Sequence, residues 1–188
     1  MKMKMRQMIL VAALATGACS GNPAVPTNAA TTNSAATSPW AAGTNQSLFV
    51  IERSKNANVV QYDARLTADG VLDAKEPVKA YWVLLAEDGR HEELSLLACK
   101  AYGLDIKRDA SGKSWLMTLA AYRKREITVR QTGTVVRAEI LIDGKPSILE
   151  KLYINSTEGR FLPTVNYIEL FGKDLETGEK RYEKLLPN

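Results

Sequence analysis

The stretch Ile127–Gly144, ITVRQTGTVVRAEILIDG, decides the fold class of this chain. Its apolar residues recur at every second position in two runs, which are Ile127 and Val129, and then Val136, Ala138, Ile140 and Ile142, with Thr132-Gly133 between the runs. A period of two predicts strands that show one face to a core and the other to water. The stretch ends in Asp143-Gly144, and an Asp-Gly pair between strands favours a two-residue hairpin, because both central positions need positive φ. This segment therefore predicts antiparallel strands joined by tight turns.

Similar patterns extend from this stretch in both directions. Downstream, Thr177-Gly178 marks a turn between two further strand-like segments, Thr164–Phe171 and Lys180–Leu186. Upstream, the strand-like segments are Leu48–Glu52, Val59–Ala64, Val78–Leu85 and Trp115–Leu119. The C-terminal half is thus predicted to be an antiparallel meander.

One helix is predicted around residues 92–101. Leu94, Leu97, Ala98 and Ala101 follow the spacing of an apolar helical stripe, and Glu92 and Glu93 suit the positive N-terminal end. We therefore predict one mainly β domain over residues 48–188, with one short helix. Its antiparallel meander forms a curled sheet, a sandwich or a small barrel, and periodicity does not choose between open and closed forms.

The N-terminus has the features of an exported protein. Residues 1–18 begin with three cations, continue with the apolar run Met8–Ala15 and end in small residues, as a secretory signal does. Thr16-Gly17-Ala18 stands directly before Cys19 and resembles the lipobox at which bacterial lipoproteins are cleaved and acylated, although Thr16 replaces the usual Leu. We predict a signal peptide and a lipid anchor on Cys19. The alternative is a soluble exported protein cleaved after Ala15, with Cys19 as an ordinary thiol.

The lipid anchor has two consequences. With Cys19 acylated, the second cysteine, Cys99, has no intramolecular partner, so no disulfide is expected. Ser20 follows the anchor where Asp would favour the inner membrane, so the predicted location is the outer membrane, facing the periplasm.

Residues 20–47 are predicted to be a tether. They contain no charge, and 25 of the 28 are Ala, Gly, Asn, Pro, Ser or Thr. Such a segment cannot bury enough apolar surface to offset its conformational entropy, so a flexible coil is expected. The domain plan is a signal peptide over 1–18, a lipidated Cys and tether over 19–47, and the β-rich domain from residue 48.

Composition excludes several functional classes. The formal charge is +4, but the first 18 residues hold three cations and no acid, so the rest of the chain carries only +1. Nucleic-acid binding through bulk charge is therefore not expected. One His and two Cys cannot build a metal site rich in those residues, and the chain has no P-loop, dinucleotide fingerprint or nucleophile elbow, so neither a metal nor a cofactor is predicted.

The densest polar cluster is Glu52–Asn58, ERSKNAN, between two predicted strands. It supplies a carboxylate, two cations, a hydroxyl and two amides, which together could hold an anionic or sugar-like ligand. The same residue types also suit a solvated turn. A Ser54-Lys55 hydrolase pair is not supported, because adjacent strand residues point to opposite faces.

The chain resembles a bacterial family known as domain of unknown function 4833. The resemblance rests on FVIERSKNANVVQYD (49–63), PVKAYWVLL (77–85) and EELSLLACKAYG (92–103), and covers nearly the whole domain from Phe49 onward. It implies a compact exported domain and supplies no reaction. Its candidate ligand- or partner-binding residues are Glu52, Arg53, Ser54, Lys55, Asn56, Asn58, Trp82 and Tyr102, with Tyr81 and Gly103 as further family-like positions.

Three hypotheses of function follow. The first is a lipid-anchored cell-envelope module that binds a ligand or partner, either an envelope protein or a small anionic or glycan ligand, or that acts as a scaffold. The second is an envelope enzyme with a site around Glu52, Arg53, Lys55 and His91, the only imidazole. The third is a structural subunit of an envelope complex that uses an exposed strand edge. No catalytic residue is predicted under the first hypothesis.

Overall fold

A computed structural model describes residues 45–54, 56–157 and 164–186, apart from the side chains of residues 56 and 57. The predicted signal peptide, the lipidated Cys19, most of the tether and Lys55 lie outside these residues. The boundaries predicted for the signal peptide and tether therefore stay predictions, although β1 includes Asn45–Ser47, the last three residues of the predicted tether.

Eleven strands and one α-helix make up the described part of the chain. They are β1 (Asn45–Arg53), β2 (Asn56–Arg65), β3 (Val78–Leu84), β4 (Arg90–Glu93), α1 (Leu96–Tyr102), β5 (Leu104–Arg108), β6 (Ser114–Leu119), β7 (Tyr122–Thr132), β8 (Val135–Ile142), β9 (Lys145–Thr157), β10 (Thr164–Asp174) and β11 (Lys180–Leu185), with a 3₁₀ turn at Leu85–Glu87. The mainly β prediction is confirmed, and the open form is the one adopted: a strongly curled sheet that forms a half-barrel.

The C-terminal meander is also confirmed. From β5 to β11, each strand pairs antiparallel with the next. The Asp-Gly pair forms the predicted tight turn between β8 and β9, with φ of 51° at Asp143 and 72° at Gly144. The prediction of a β8–β9 hairpin from the Asp143-Gly144 pair is therefore confirmed.

Strand β9 is the centre of the sheet. Residues 145–148 of β9 pair with β8, residues 151–154 pair with β1 in parallel, and β10 pairs along almost its whole length. Because a strand has only two hydrogen-bonding edges, β1 and β8 must share the edge opposite β10. The sheet thus divides into a first wing, β1–β4, and a second wing, β5–β8, both attached to one edge of β9.

The core lies between the two wings on the concave face. It is one continuous cluster of buried apolar side chains drawn from both wings and from β9 and β10. Phe49 of β1 and Tyr62 of β2 stack at its centre, with ring centroids 4.5 Å apart and both side chains almost fully buried. They are register partners of β1 and β2, so burial of their apolar area stabilises this strand pair.

Helix α1 joins the free ends of the two wings. It lies in the chain between β4 and β5, which are the two ends of the strand order. It begins later than predicted: Ser95 is the N-cap and its Oγ accepts a hydrogen bond from the Ala98 N–H, whereas residues 92 and 93 belong to β4. The predicted apolar stripe is wrong at Leu97, which is 70% exposed.

Cys99 lies on α1 and is half-buried. The prediction about its pairing concerns Cys19, which lies outside the described residues, so it stays a prediction.

Candidate functional site

Three family-like residues, Arg53, Trp82 and Tyr102, form one cluster at the end of the concave face. The Arg53 guanidinium carbon lies 4.5 Å from the centroid of the Trp82 ring and 5.5 Å from that of Tyr102. Arg53 Nη1 donates a long hydrogen bond of 3.4 Å to the Tyr102 hydroxyl, and the two rings meet edge to face at 5.4 Å. We call this group the Arg53 cluster. Such a cation over aromatic faces contributes roughly 0.5–2 kcal/mol, more as it loses water.

Strand alternation places Arg53 in this cluster. Phe49 and Ile51 of β1 point into the core, and Arg53 continues the same row at the strand end. Trp82 sits in register with Val60 of β2 and so belongs to the same concave face. The cluster thus caps the apolar row where the first wing ends.

The C-terminus of α1 brings in the third member of the cluster. The buried Tyr62 hydroxyl donates a 2.5 Å hydrogen bond to the carbonyl oxygen of Tyr102, and burial raises the pKa of Tyr62 far above its usual value. Gly103 ends the helix, and its N–H donates to the Cys99 carbonyl oxygen at 2.8 Å. A Cβ at residue 103 would lie 2.3 Å from that oxygen, so this close approach requires glycine. The family-like residue Gly103 is therefore explained by the close packing at the end of α1.

Glu52 points away from the Arg53 cluster. Its carboxylate pairs with Lys151 of β9 at 3.0 Å, and the Lys151 ammonium also lies 4.8 Å from the Phe171 ring centroid. Phe171 is on the convex face of β10, opposite the buried Leu170. Glu52 and Arg53 are adjacent in β1 and therefore serve opposite faces of the sheet.

Ser54 fastens the end of β1 to β9. Its N–H donates to the Ile154 carbonyl oxygen at 3.1 Å. Its Oγ donates to the Ser156 carbonyl oxygen at 3.2 Å and accepts from the Ser156 N–H at 3.1 Å. Asn56 pairs with Arg53 through the backbone, and Asn58 is a half-buried residue of β2. Among the described side chains of this segment, Glu52, Arg53 and Ser54 therefore contact three different parts of the sheet: Lys151, the Trp82 and Tyr102 rings, and Ser156.

His91 is not brought to Arg53. It pairs in register with Val83, next to Trp82, and so lies on the convex face, with its ring 4.7 Å from that of Tyr81. Of the residues predicted for an enzyme site, the structure therefore divides Arg53 from Glu52 and His91, while Lys55 lies outside the described residues.

Two polar residues of β2 were missed by the sequence analysis. The buried Asp63 accepts hydrogen bonds from the Tyr81 hydroxyl at 2.6 Å and from the Gln61 amide at 2.8 Å. Burial and this hydrogen bond raise the pKa of Tyr81, so its phenol stays protonated. The available signal was the alternation of Gln61 and Asp63 with Val60 and Tyr62, which puts both polar residues on one face.

Neither a metal site nor a membrane-spanning helix was found in the described segments. They contain no group of three or more His, Cys, Asp or Glu side chains that could hold a metal ion. They also contain no helix long and apolar enough to cross a bilayer.

Comparison with known proteins identifies a family. No curated protein and no solved structure matched the chain. One family model, described as "Domain of unknown function (DUF4833)", matches residues 49–184, which include all the structural elements from within β1 to within β11. The predicted resemblance is thus confirmed, and this chain belongs to the DUF4833 family.

Proposed function

We propose that this protein is a lipid-anchored module of the bacterial cell envelope that binds a ligand or partner at the periplasmic side of the outer membrane. The observation that carries the proposal is the order of segments along the chain. A signal-like start and the lipobox-like Thr16–Cys19 precede 28 uncharged residues, and the first described strand begins at Asn45. Such a chain would hold a folded β domain on a flexible tether.

The Arg53 cluster supports binding indirectly. Its guanidinium is held between the rings of two other elements, and the Tyr102 backbone is held by Tyr62. We assign this cluster a bracing role: it ties the end of β1 to β3 and to the helix that joins the two wings. A rigid sheet gives more precise binding surfaces than loops do, so this brace favours a ligand held on the sheet.

The enzyme hypothesis receives less support from the geometry. An acid–base site needs its groups within hydrogen-bond reach of one substrate. Glu52 and Arg53 lie on opposite faces, so one substrate could not contact both.

The anchor is tested by lipid labelling. Cys19→Ser should abolish incorporation of a labelled fatty acid and release the protein from the membrane fraction, because the described domain has no helix that spans a bilayer. Ser20→Ala is the matched control and should keep both label and membrane association. Full retention of label by Cys19→Ser would overturn the anchor.

The covalent state of Cys19 provides a second test. Acylation of Cys19 and a disulfide between Cys19 and Cys99 exclude each other, since both need the Cys19 sulfur. Mass spectrometry of non-reduced protein from its native membrane should find a lipidated N-terminal peptide. A Cys19–Cys99 linked peptide in its place would favour the soluble exported form.

A further inference from the structure

Four aromatic residues occupy the convex face of β9, β10 and β11. Strand alternation puts Tyr153, Tyr167, Phe171 and Tyr182 opposite the core-facing Leu152, Ile168, Leu170 and Leu185. Tyr182 is 50% exposed and the other three rings are half-buried. We call these four rings, with the charged side chains between them, the outer aromatic face.

The rings form two pairs along the strands. Tyr153 and Tyr167 have ring centroids 6.3 Å apart, and those of Phe171 and Tyr182 are 5.3 Å apart. Phe171 lies four residues beyond Tyr167 on β10, so the two pairs are separated by roughly 13 Å at about 3.3 Å per residue. An extended ligand lying along β10 would therefore meet one ring pair and then the other.

The charged side chains between the rings have no net charge, because cations and carboxylates are present in equal number. The two cations, Lys151 and Lys184, are matched by Glu52 and Glu169. Lys151 is already paired with Glu52, and the Lys184 ammonium lies 3.7 Å from the Tyr167 ring centroid. A polyanion needs a row of cations that can contact its charges, so this balance favours an uncharged ligand.

The same face carries hydrogen-bonding groups beside the rings. The Tyr182 hydroxyl donates to Glu169 Oε1 at 2.7 Å, which leaves further acceptor capacity on this carboxylate. Asn155 pairs in register with Tyr167 and accepts a 2.8 Å hydrogen bond from the Asn166 amide. Carboxylate, amide, phenol and ammonium groups together supply both donors and acceptors for hydroxyl groups.

We propose that the outer aromatic face is a binding site for a neutral glycan. The C–H groups of a sugar ring carry partial positive charge and pack against the negative faces of aromatic rings, while its hydroxyls use the adjacent polar groups. A protein partner would instead favour a contiguous apolar centre depleted of charge, and here Glu169 and Lys184 lie between the rings. This inference rests on the proposed binding function and names its ligand class.

The test is co-sedimentation of the full-length protein, in detergent, with four insoluble probes: peptidoglycan sacculi, chitin, cellulose and amylose resin. We expect retention on at least one probe. Tyr153→Ala and Tyr167→Ala should each weaken it at least tenfold, whereas Tyr167→Phe, which keeps the ring, should bind as the wild type does. Leu96→Ala is the matched control, because Leu96 is 85% exposed on α1, away from this face.

A further variant keeps the test independent of folding. If Tyr153→Ala or Tyr167→Ala fails to fold, the half-exposed Tyr182 and its Tyr182→Ala variant replace it, with folding checked by circular dichroism. Retention on sacculi must be competed by chitin oligosaccharides, which separates glycan from peptide as the bound part. Heparin resin serves as the polyanion control. No retention on any of the four probes, retention unaffected by all the alanine variants, or retention on heparin resin alone would overturn the proposal.

Failure here is distinguishable from failure of the proposed function. If the protein incorporates lipid at Cys19 but is retained on none of the four probes, the glycan proposal is wrong and the anchored module has another ligand. If the protein binds glycans but carries no lipid, the glycan proposal stands and the proposed anchor is wrong.

Discussion

The Arg53 cluster and the outer aromatic face use the same chemistry at opposite faces of one sheet. Each sets a cation over an aromatic ring, Arg53 at 4.5 Å from Trp82 and Lys184 at 3.7 Å from Tyr167. The Arg53 contacts join three elements around the end of the core, whereas the Lys184–Tyr167 contact lies within the β10–β11 pair. Planar guanidinium groups suit enclosed, stacked positions, and flexible ammonium groups suit solvated ones. The contrast indicates that the concave cluster serves stability and the convex one is available for ligands.

The largest effect should come from the ring beneath the Arg53 cluster. Tyr62→Ala removes a fully buried ring that stacks on Phe49, and we expect a loss of about 3–5 kcal/mol in the free energy of unfolding. Tyr62→Phe keeps the ring but leaves the Tyr102 carbonyl oxygen without this donor, at a cost of about 1–3 kcal/mol. Denaturant unfolding measures both. A Tyr62→Phe variant as stable as the wild type would contradict a separate role for the hydroxyl.

Arg53→Ala comes next and tests the bracing role directly. Loss of two ring contacts and one hydrogen bond should lower the free energy of unfolding by about 1.5–3 kcal/mol. Arg53→Lys keeps the charge but not the planar stack, so it should recover only part of this loss. The control is Arg130→Ala, an exposed arginine paired with Glu139, which should change stability by within about 0.5 kcal/mol. If Arg53→Ala were as stable as this control variant, the bracing role of Arg53 would be wrong.

Ring variants of the outer aromatic face should have a smaller effect on folding. Tyr153→Ala removes one cross-strand ring contact, which is worth roughly 0.2–1 kcal/mol, and Tyr182→Ala removes one such contact together with an exposed hydrogen bond to Glu169. Thermal and denaturant unfolding should show only this small change while glycan retention falls. A loss comparable with that of Arg53→Ala would mean that both faces serve stability alike.

The smallest effect on stability is expected at acid pH, from Asp174 at the turn that joins β10 to β11. Backbone N–H groups of Thr177 and Glu176, together with Arg181, lower the pKa of Asp174 to about 2. A lowered folded-state pKa means that this stabilisation is complete above the usual value near 4 and is lost as pH falls toward 2. Asp174→Asn should therefore flatten the acid limb of a stability-versus-pH curve. An unchanged limb would show that Asp174 does not set it.

Local signals in the sequence predicted most of the fold. Alternation found β1, β2, β3, β7 and β8, and the Asp143-Gly144 turn fixed the β8–β9 hairpin because its geometry depends only on adjacent residues. β4 and β5 were missed. The β4 sequence RHEE has no apolar alternation, and its four residues gain their place from pairing with β3. Propensity cannot detect a strand that is specified by its neighbour.

The candidate site was predicted less well than the fold. The resemblance marked Arg53, Trp82 and Tyr102 without saying that they meet, since they come from β1, β3 and α1. Their meeting depends on the curl of the sheet and on the Tyr62 hydrogen bond, and no short-range pattern encodes either. The outer aromatic face was missed because its rings are spread over three strands whose pairing is needed to bring them together.

The shared edge of β9 also determines when the domain can fold. β1 is made first but takes its parallel place beside residues 151–154, with Glu52 and Lys151 separated by 99 positions. Pairing at such separation closes a long loop before it gains contacts, which slows folding. The first hairpin, which ends at Arg65, therefore keeps one edge uncovered until roughly ninety further residues, up to 151–154, have emerged. Until then, the uncovered edge of β1 could be bound by a chaperone that shields strand edges.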